Sequence, residues 1–423
     1  MRRSRFTSAQ AHSRPWLGAA LLALALLALA VAVVPAAAAD PSPAPVGGVG
    51  DAASPSPTPT PTLAWTLTPA KVVYGKSVTA QGTVTPAVEG QTVDIAIDGA
   101  VVASATTDAA GAFAAAFVPV AGGAVTATVT ADGTTGPTLA LSVLPKVVLS
   151  AGVSVPWGRG RLVVKVAPAS YAGKTAVAVY HHGVRIARLS GYASSGRVVF
   201  LVRTPGVDRF PVRVTLAADG GLAAPAPLKA TIKAPWHRLV VGSQGRYVRI
   251  LLSRLAALRF RIPGLTTSLS AACGDSVVAF QKAYSLPRTY VFDGDDWRKL
   301  DVAKVIKVRH ASPQIHIEID KTRQILMIVK NGAPYGIIAV STGATGNTPV
   351  GTFHILWKAP STTTWLGSAI LWRTMDFYRD FAMHGYPEVP PYPASHGCVR
   401  EPIWVADWTY THSWVGVTVY IYY

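Results

Sequence analysis

Alternating apolar and polar residues dominate the first half of the chain after residue 63 and predict β-strands. Residues 93–97 and 161–166 show the pattern clearly, and Asp98-Gly99 is a tight-turn signal. Side chains on successive strand positions point to opposite faces, so these runs fit strands with one buried face. Several such strands predict a β-sandwich over residues 64–145 and a diverged second copy over residues 146–235.

The spacing of apolar residues becomes helical over residues 236–301. Val248, Leu251, Leu252, Leu255 and Leu258 recur every three or four positions, and a second amphipathic run begins near residue 277. Alternation returns over residues 311–423, which end in an apolar run that we expect to be a core strand. The pattern therefore predicts a multidomain, mainly β protein with one small α-helical domain.

The N-terminal residues have the features of an export signal. Residues 1–39 combine a basic start with a long apolar run and Ala37-Ala38-Ala39, which suits signal peptidase. An uncleaved membrane anchor is the alternative, because about 18 apolar residues just span a bilayer. Residues 40–63 form a Pro/Ser/Thr-rich linker and predict a semi-rigid spacer. Either reading places the rest of the chain outside the cytoplasm, secreted or membrane-anchored.

The net charge of +18 is concentrated in the middle of the chain. Residues 146–310 hold 26 Lys and Arg against seven Asp and Glu, which leaves +19. Outside a cell, the expected anionic partners are acidic wall polymers and lipid headgroups rather than nucleic acid. A basic surface kept only for solubility is the alternative. The two cysteines, Cys273 and Cys398, are too few for a disulfide framework and are expected to be free thiols.

The segment from His384 to Arg400 carries the candidate chemistry. Cys398 stands two residues after His396, and His384-Gly385 precedes them. A thiol becomes a strong nucleophile when a base takes its proton or when a positive environment stabilises the thiolate. Gly397 allows substrate to approach the backbone, whose N–H groups could stabilise an oxyanion. These residues indicate a cysteine acyl-transfer enzyme.

Metal and cofactor chemistry is not expected. His384 and His396 as zinc ligands would need a third ligand and a carboxylate base, and no His-Glu-x-x-His spacing occurs. His181-His182 falls at a predicted hairpin turn before Gly183. A metal role for this pair is possible, but an exposed turn is favoured because the sequence shows no third ligand.

Residues 312–423 resemble the catalytic domain of L,D-transpeptidases, which cross-link peptidoglycan. Four stretches carry the resemblance in order: residues 341–343 (STG), 347–353 (NTPVGTF), 384–385 (HG) and 395–400 (SHGCVR). The resemblance implies a β-rich domain over residues 311–423 without a cofactor.

The same resemblance assigns roles within the motif. It makes Cys398 the nucleophile and His384 the base, oriented by the carbonyl of Gly385, although proximity in sequence would favour His396. The backbone amides of His396, Gly397 and Cys398 become the expected oxyanion donors. Arg400 is expected to organise the cysteine loop or to contact a substrate carboxylate.

The implied reaction forms 3→3 cross-links between peptidoglycan stem peptides through a cysteine thioester, with release of D-alanine. An L,D-carboxypeptidase, or attachment of a protein to peptidoglycan, would use the same thioester with another acceptor. A non-catalytic wall-binding protein is a further alternative. The aromatic residues 357–378, which include Trp365, Trp372 and Phe377, could form a lid over the donor stem or be core.

Two weaker resemblances concern the preceding regions. The β-rich region of residues 64–145, with its second copy, resembles bacterial immunoglobulin-like (Ig-like) repeats, notably at residues 98–99 and 107–113. Residues 236–301 resemble the helical peptidoglycan-binding domain of wall enzymes, which implies glycan as a partner; a structural spacer is the alternative. Cys273 stands near the start of the second helix, where that family has a capping residue, and cysteine is a poor cap.

Overall fold

The computed structural model describes residues 59–364 and 369–423. The predicted signal or anchor (1–39) and most of the linker (40–63) lie outside the described residues. Within the described ranges, no helix has the length and apolar character needed to cross a membrane.

Residues 62–144 form two sheets around an apolar interior. Val93, Ile95 and Ile97 point inward and are buried, as the alternation predicts. The sheet orders are β1-β3-β6 and β2-β8-β7-β4-β5. The strands are β1 Thr62–Thr68, β2 Lys71–Val73, β3 Val78–Thr85, β4 Thr92–Ile97, β5 Ala100–Thr106, β6 Ala112–Phe117, β7 Gly123–Val129 and β8 Leu139–Leu144.

Residues 146–234 repeat this plan with sheets of order β13-β10-β9 and β12-β11-β14-β15. The strands are β9 Lys146–Ala151, β10 Arg159–Ala167, β11 Lys174–His181, β12 Val184–Tyr192, β13 Arg197–Arg203, β14 Asp208–Leu216 and β15 Leu228–Ala234. The turn between β11 and β12 consists of His182 (φ +47°) and Gly183 (φ +78°). Positive φ at both central positions is typical of a type I′ hairpin turn.

Three helices follow: α1 Arg246–Ala257, α2 Ala271–Ala283 and α3 Gly294–Val302. The helical spacing of Val248 to Leu255 is confirmed by the buried face of α1. The expectation of an amphipathic second helix was wrong, because ten of the thirteen residues of α2 are buried. Concern over Cys273 as a cap was also misplaced: Ser270 caps α2 and accepts a hydrogen bond from the Cys273 amide.

The C-terminal region contains two further sheets and one helix, α4 Ile403–Thr411. One sheet has the order β18-β17-β16-β24-β19 and the other β20-β21-β22-β23, so the last strand lies inside its sheet rather than at an edge. The strands are β16 Ile315–Asp320, β17 Ile325–Lys330, β18 Ala333–Ala339, β19 Gly351–His354, β20 Trp357–Thr363, β21 Ile370–Tyr378, β22 Phe381–Tyr386, β23 Val399–Pro402 and β24 Thr418–Tyr422. The protein is therefore mainly β, as predicted.

The helical region packs directly on the C-terminal region. Side chains of α1 and α2 share one apolar core with inward-facing residues of β17 and β18. The buried Nζ of Lys282 donates to the carbonyl of Val340, 2.7 Å away. Arg288 donates to Pro391 O at 2.8 Å, and Tyr290 donates to Val389 O at 3.3 Å. The segment between α2 and α3 thus holds the proline-rich loop that lies between the two candidate histidines.

Candidate active site

Two parallel strands bring the candidate residues together. β22 pairs with β23 so that Met383 lies beside Val399 and His384 beside Arg400. Neighbouring residues in such a pair point to the same side of the sheet. The register therefore places His384 and Arg400 on one face, with Cys398 just before the start of β23. Strand pairing therefore sets the sequence-distant His384 beside the strand that directly follows the cysteine.

The cysteine loop requires glycine at position 397. Its φ is +145°, which side-chain-bearing residues rarely adopt, and an added Cβ would lie 2.5 Å from Cε1 of Phe381. Gly343 approaches the same loop closely, because a Cβ there would lie 3.1 Å from the Cα of Gly397. These close approaches fix the path of the backbone into Cys398.

Polar side chains hold the loop from both sides; Ser395 and Thr348 are buried, and Asn347 is exposed. Ser395 Oγ donates to the carbonyl of Cys398 at 2.5 Å and accepts from the amide of Gly397 at 3.0 Å. Thr348 Oγ1 donates to Gly397 O and Asn347 Nδ2 donates to His396 O, each at 2.6 Å. These residues are motif letters in the sequence, and only the folded loop shows their role.

These hydrogen bonds correct one of the expected oxyanion donors, the backbone amide of Gly397. The Gly397 N–H already donates to Ser395 Oγ, so it is not free to bind a developing oxyanion. The amides of His396 and Cys398 have no hydrogen-bond acceptor within the described residues. These two N–H groups are the donors that the loop leaves available.

The thiol of Cys398 is half-buried and points to a backbone carbonyl. Its Sγ donates to Asp380 O at 3.6 Å, and no hydrogen bond joins it to His384 in the described part of the chain. Burial raises the pKa of the thiol above the ordinary 9.0, against a lowering by the Ala382 backbone N–H. The resting cysteine is therefore a neutral thiol, and its proton must be removed during attack.

His384 is buried and has the tautomer that a base needs. Its Nδ1 lies 3.2 Å from Gly385 O, so Nδ1–H donates there and Nε2 keeps its lone pair. Burial lowers the pKa of His384 to about 4, with the Gly385 hydrogen bond opposing and the nearby Arg400 charge adding to the shift. The imidazole is therefore neutral at pH 7 and able to accept a proton.

Arg400 extends the site toward an open cavity of about 770 Å³. Its guanidinium lies 4.4 Å from the ring centroid of Tyr386, and that ring meets His384 edge-on at 5.8 Å. Tyr386 follows His384 by two positions on β22 and so shares its face, a spacing that is visible in the sequence. Asp275 and Tyr290 of the helical region line the same cavity.

The remaining predicted residues differ in how far they are buried. His396 is exposed and contributes its carbonyl to the loop rather than a buried ring. In the aromatic segment 357–378, Phe377 is core, whereas Trp372 is 44% exposed on β21. Trp365 lies outside the described residues.

Comparison with known proteins gives one family. Residues 314–421 match the family profile described as YkuD, L,D-transpeptidase catalytic domain. No curated protein sequence matches the chain.

Three solved structures show the range of similarity. An L,D-transpeptidase from Xylanimonas cellulosilytica is 30% identical, covering 44% of this chain and 97% of that one, with a TM-score of 0.42. An L,D-transpeptidase from Stackebrandtia nassauensis is 22% identical, covering 44% and 95%, with a TM-score of 0.30. An L,D-transpeptidase from Mycobacterium smegmatis is 12% identical, covering 66% and 100%, with a TM-score of 0.25.

Proposed function

We propose that this chain, which through residues 314–421 belongs to the L,D-transpeptidase catalytic-domain family, joins peptidoglycan stem peptides through a thioester on Cys398. The observation that carries the proposal is the pairing of β22 with β23. It sets a neutral, buried imidazole beside the glycine loop that presents the only cysteine of this region.

The first step is acylation of the thiol. His384 Nε2 takes the proton from Cys398 after the thiol leaves Asp380 O, and Sγ attacks the carbonyl between the third and fourth stem residues. The carbonyl oxygen becomes negative, and the free N–H groups of His396 and Cys398 can donate to it. As the C–N bond breaks, the imidazolium returns its proton to the leaving D-alanine amine, and a thioester remains.

The second step is aminolysis. An amine of a neighbouring stem attacks the thioester carbonyl and loses a proton to His384. The C–S bond then breaks, Cys398 is reprotonated, and a 3→3 cross-link remains. Water in place of the amine would make the same thioester the intermediate of an L,D-carboxypeptidase, and a protein amine would attach that protein to peptidoglycan.

The test is incubation with muropeptides that carry tetrapeptide stems, with product masses measured. We expect cross-linked dimers and free D-alanine, and neither from Cys398→Ala. D-Alanine without dimers would establish the carboxypeptidase instead. If D-alanine appears at the same rate with Cys398→Ala, cysteine acyl transfer is refuted. If the wild type releases no D-alanine, cysteine acyl transfer is also refuted, and a non-catalytic wall-binding protein is favoured.

We also propose the setting of the catalytic domain. Residues 1–39 would export the chain or anchor it, residues 40–63 would act as a spacer, and the two β-rich regions would be Ig-like domains. Residues 236–301 would bind peptidoglycan. This arrangement would hold the enzyme outside the cytoplasm next to the wall.

An exposed basic surface supports binding of an anionic wall polymer. Arg159, Arg161 and Lys165 on β10, with Arg197 and Arg203 on β13, are exposed, and none of the five forms a salt bridge in the described ranges. Strand register places Arg159 beside Arg203 and Lys165 beside Arg197. Replacing all five by Gln should weaken binding to sacculi that carry teichoic acid. Equal binding by the variant would contradict this role.

A further inference from the structure

Two histidines and a carboxylate converge away from the cysteine. His181 ends β11, His182 begins the hairpin turn, and Asp301 lies in the last turn of α3. One potential ligand atom from each lies within 4.8 Å of the other two. The sequence alone favours an exposed turn for the histidine pair, because it shows no third ligand. Folding supplies that third group from a residue more than a hundred positions away.

The two inner side chains are largely buried, and the Nε2 nitrogen of His181 is buried without a hydrogen-bond partner among the described residues. His181 and Asp301 are 12% and 7% exposed, and His181 Nε2 stands 3.6 Å from Asp301 Oδ2. This distance is too long for a hydrogen bond, and Nε2 has no hydrogen-bond partner among the described residues. A buried ring nitrogen without a partner costs free energy unless something binds it.

The surroundings hold these groups in place. The His181 ring stacks on Phe210 with centroids 4.6 Å apart and lies 3.9 Å from the His182 ring. Gly206 makes room for the carboxylate, because a Cβ there would lie 1.6 Å from Asp301 Oδ1.

Burial raises the pKa of Asp301, while His181, His182 and Arg254 lower it and Asp208 raises it.

We propose that His181, His182 and Asp301 bind a divalent transition-metal ion of the zinc type. Two imidazoles and one carboxylate form a ligand set that zinc accepts, whereas calcium and magnesium prefer oxygen ligands. Bonds of about 2.0–2.2 Å in a tetrahedron place ligand atoms about 3.4 Å apart. The 3.6 Å separation of His181 from Asp301 is close to this value, and the ligand atom of His182 lies within 4.8 Å of both. Water would complete the coordination.

The ion would join two parts of the protein. His181 and His182 belong to the second β-rich region, whereas Asp301 belongs to the helices that pack on the catalytic region. Trp157 already contacts Trp297 across this boundary, with ring centroids 6.2 Å apart, and Arg254 lies 4.8 Å from the Trp157 ring. A bound metal would therefore hold the second β-rich region against the helical region that contains α3.

The test uses full-length Cys398→Ala protein as the parent, so that the active-site thiol contributes no metal ligand. Zinc binding is measured by equilibrium dialysis with metal analysis, and Co²⁺ supplies a spectroscopic probe of coordination. His182→Ala and Asp301→Asn are compared with His354→Ala, which removes an exposed histidine on β19. Because His182 is exposed at a turn, its replacement should leave the fold intact.

We expect about one zinc per chain in the parent and in His354→Ala. Zinc affinity should fall roughly tenfold or more in His182→Ala and Asp301→Asn. Zinc should also slow hydrogen exchange at the β11–β12 turn and at the end of α3 in the parent. The proposal is overturned if the parent binds no stoichiometric zinc, or if the two ligand variants bind it as tightly as the parent.

Discussion

Gly397→Ala tests whether the shape of the cysteine loop sets the reactivity of Cys398. A backbone φ of +145° is nearly restricted to glycine, and any other residue that adopts it loses about 1–3 kcal/mol. The new Cβ would also lie 2.5 Å from Phe381 Cε1, and overpacking of this kind costs about 1–3 kcal/mol. We expect the free energy of unfolding of this region to fall by about 2–6 kcal/mol.

Two further variants separate the causes. Gly332→Ala serves as a milder reference: its φ of +70° lies in the left-handed region and no atom lies within 4 Å of the added Cβ, so it should lose only about 1–2 kcal/mol. Adding Phe381→Leu to Gly397→Ala should restore about 1–3 kcal/mol by removing the overlap while leaving the backbone cost.

The assay is hydrogen exchange in urea, which reports the stability of residues 395–402 separately from that of the β-rich regions. The rate of Cys398 acylation by a tetrapeptide stem is measured in parallel. Acylation should slow in Gly397→Ala and not in Gly332→Ala. The reasoning is refuted if Gly397→Ala costs no more than Gly332→Ala, or if Phe381→Leu restores nothing.

Three further predictions concern titration and the loop. Burial keeps the pKa of His384 at about 4, so the base stays neutral down to that pH. The plot of kcat/KM against pH should therefore show no fall near 6.5, the ordinary pKa of histidine. A fall near 6.5 would contradict the assignment of His384 as the base. Burial lowers the pKa of Lys282 from 10.5 to about 7, so the unfolded chain binds the extra proton between these values. The free energy of unfolding should therefore rise by about 4 kcal/mol from pH 7 to pH 10.5, and Lys282→Met should lack this rise in a urea titration. Ser395→Ala leaves the Cys398 carbonyl and the Gly397 amide without their partner. It should lose about 2–4 kcal/mol, whereas Ser361→Ala on β20 should change stability little when both are measured by urea unfolding.

The local pattern predicted the strands well because burial on one face forces alternation. Residues 93–97 and 161–166 lie in β4 and β10 with alternate side chains inside. The first helix followed for the same reason, since one face of α1 meets the core. In these elements, the period of the sequence contains the whole signal.

The unforeseen features all depend on contacts between distant segments. α2 is buried on nearly every side because it lies between α1 and the catalytic sheet, so its sequence shows little amphipathic period. A lysine in a helix is usually expected to face solvent. Lys282 instead donates to the carbonyl of Val340, where α2 packs on the catalytic region. Asp301 meets His181 only after the β-rich and helical regions pack together.

The candidate site divides in the same way. Cys398, His384 and Gly397 were identified from residue types and a family motif, and the structure brings them to one strand pair. The sequence does not show which backbone amides of the loop are free. The Gly397 amide donates to the Ser395 hydroxyl, and the direction of that hydroxyl depends on the fold. Sequence identified the reactive groups, and folding determined which hydrogen bonds they have left.

The most direct measurement is the mass of the Cys398 peptide after a brief reaction with a tetrapeptide stem and an acid quench, which preserves thioesters. We expect an added mass equal to the stem tripeptide acyl group on Cys398, with slower accumulation in His384→Ala and none in Cys398→Ala. D-Alanine release from the wild type without any such adduct, even when acceptor amine is omitted, would contradict the thioester.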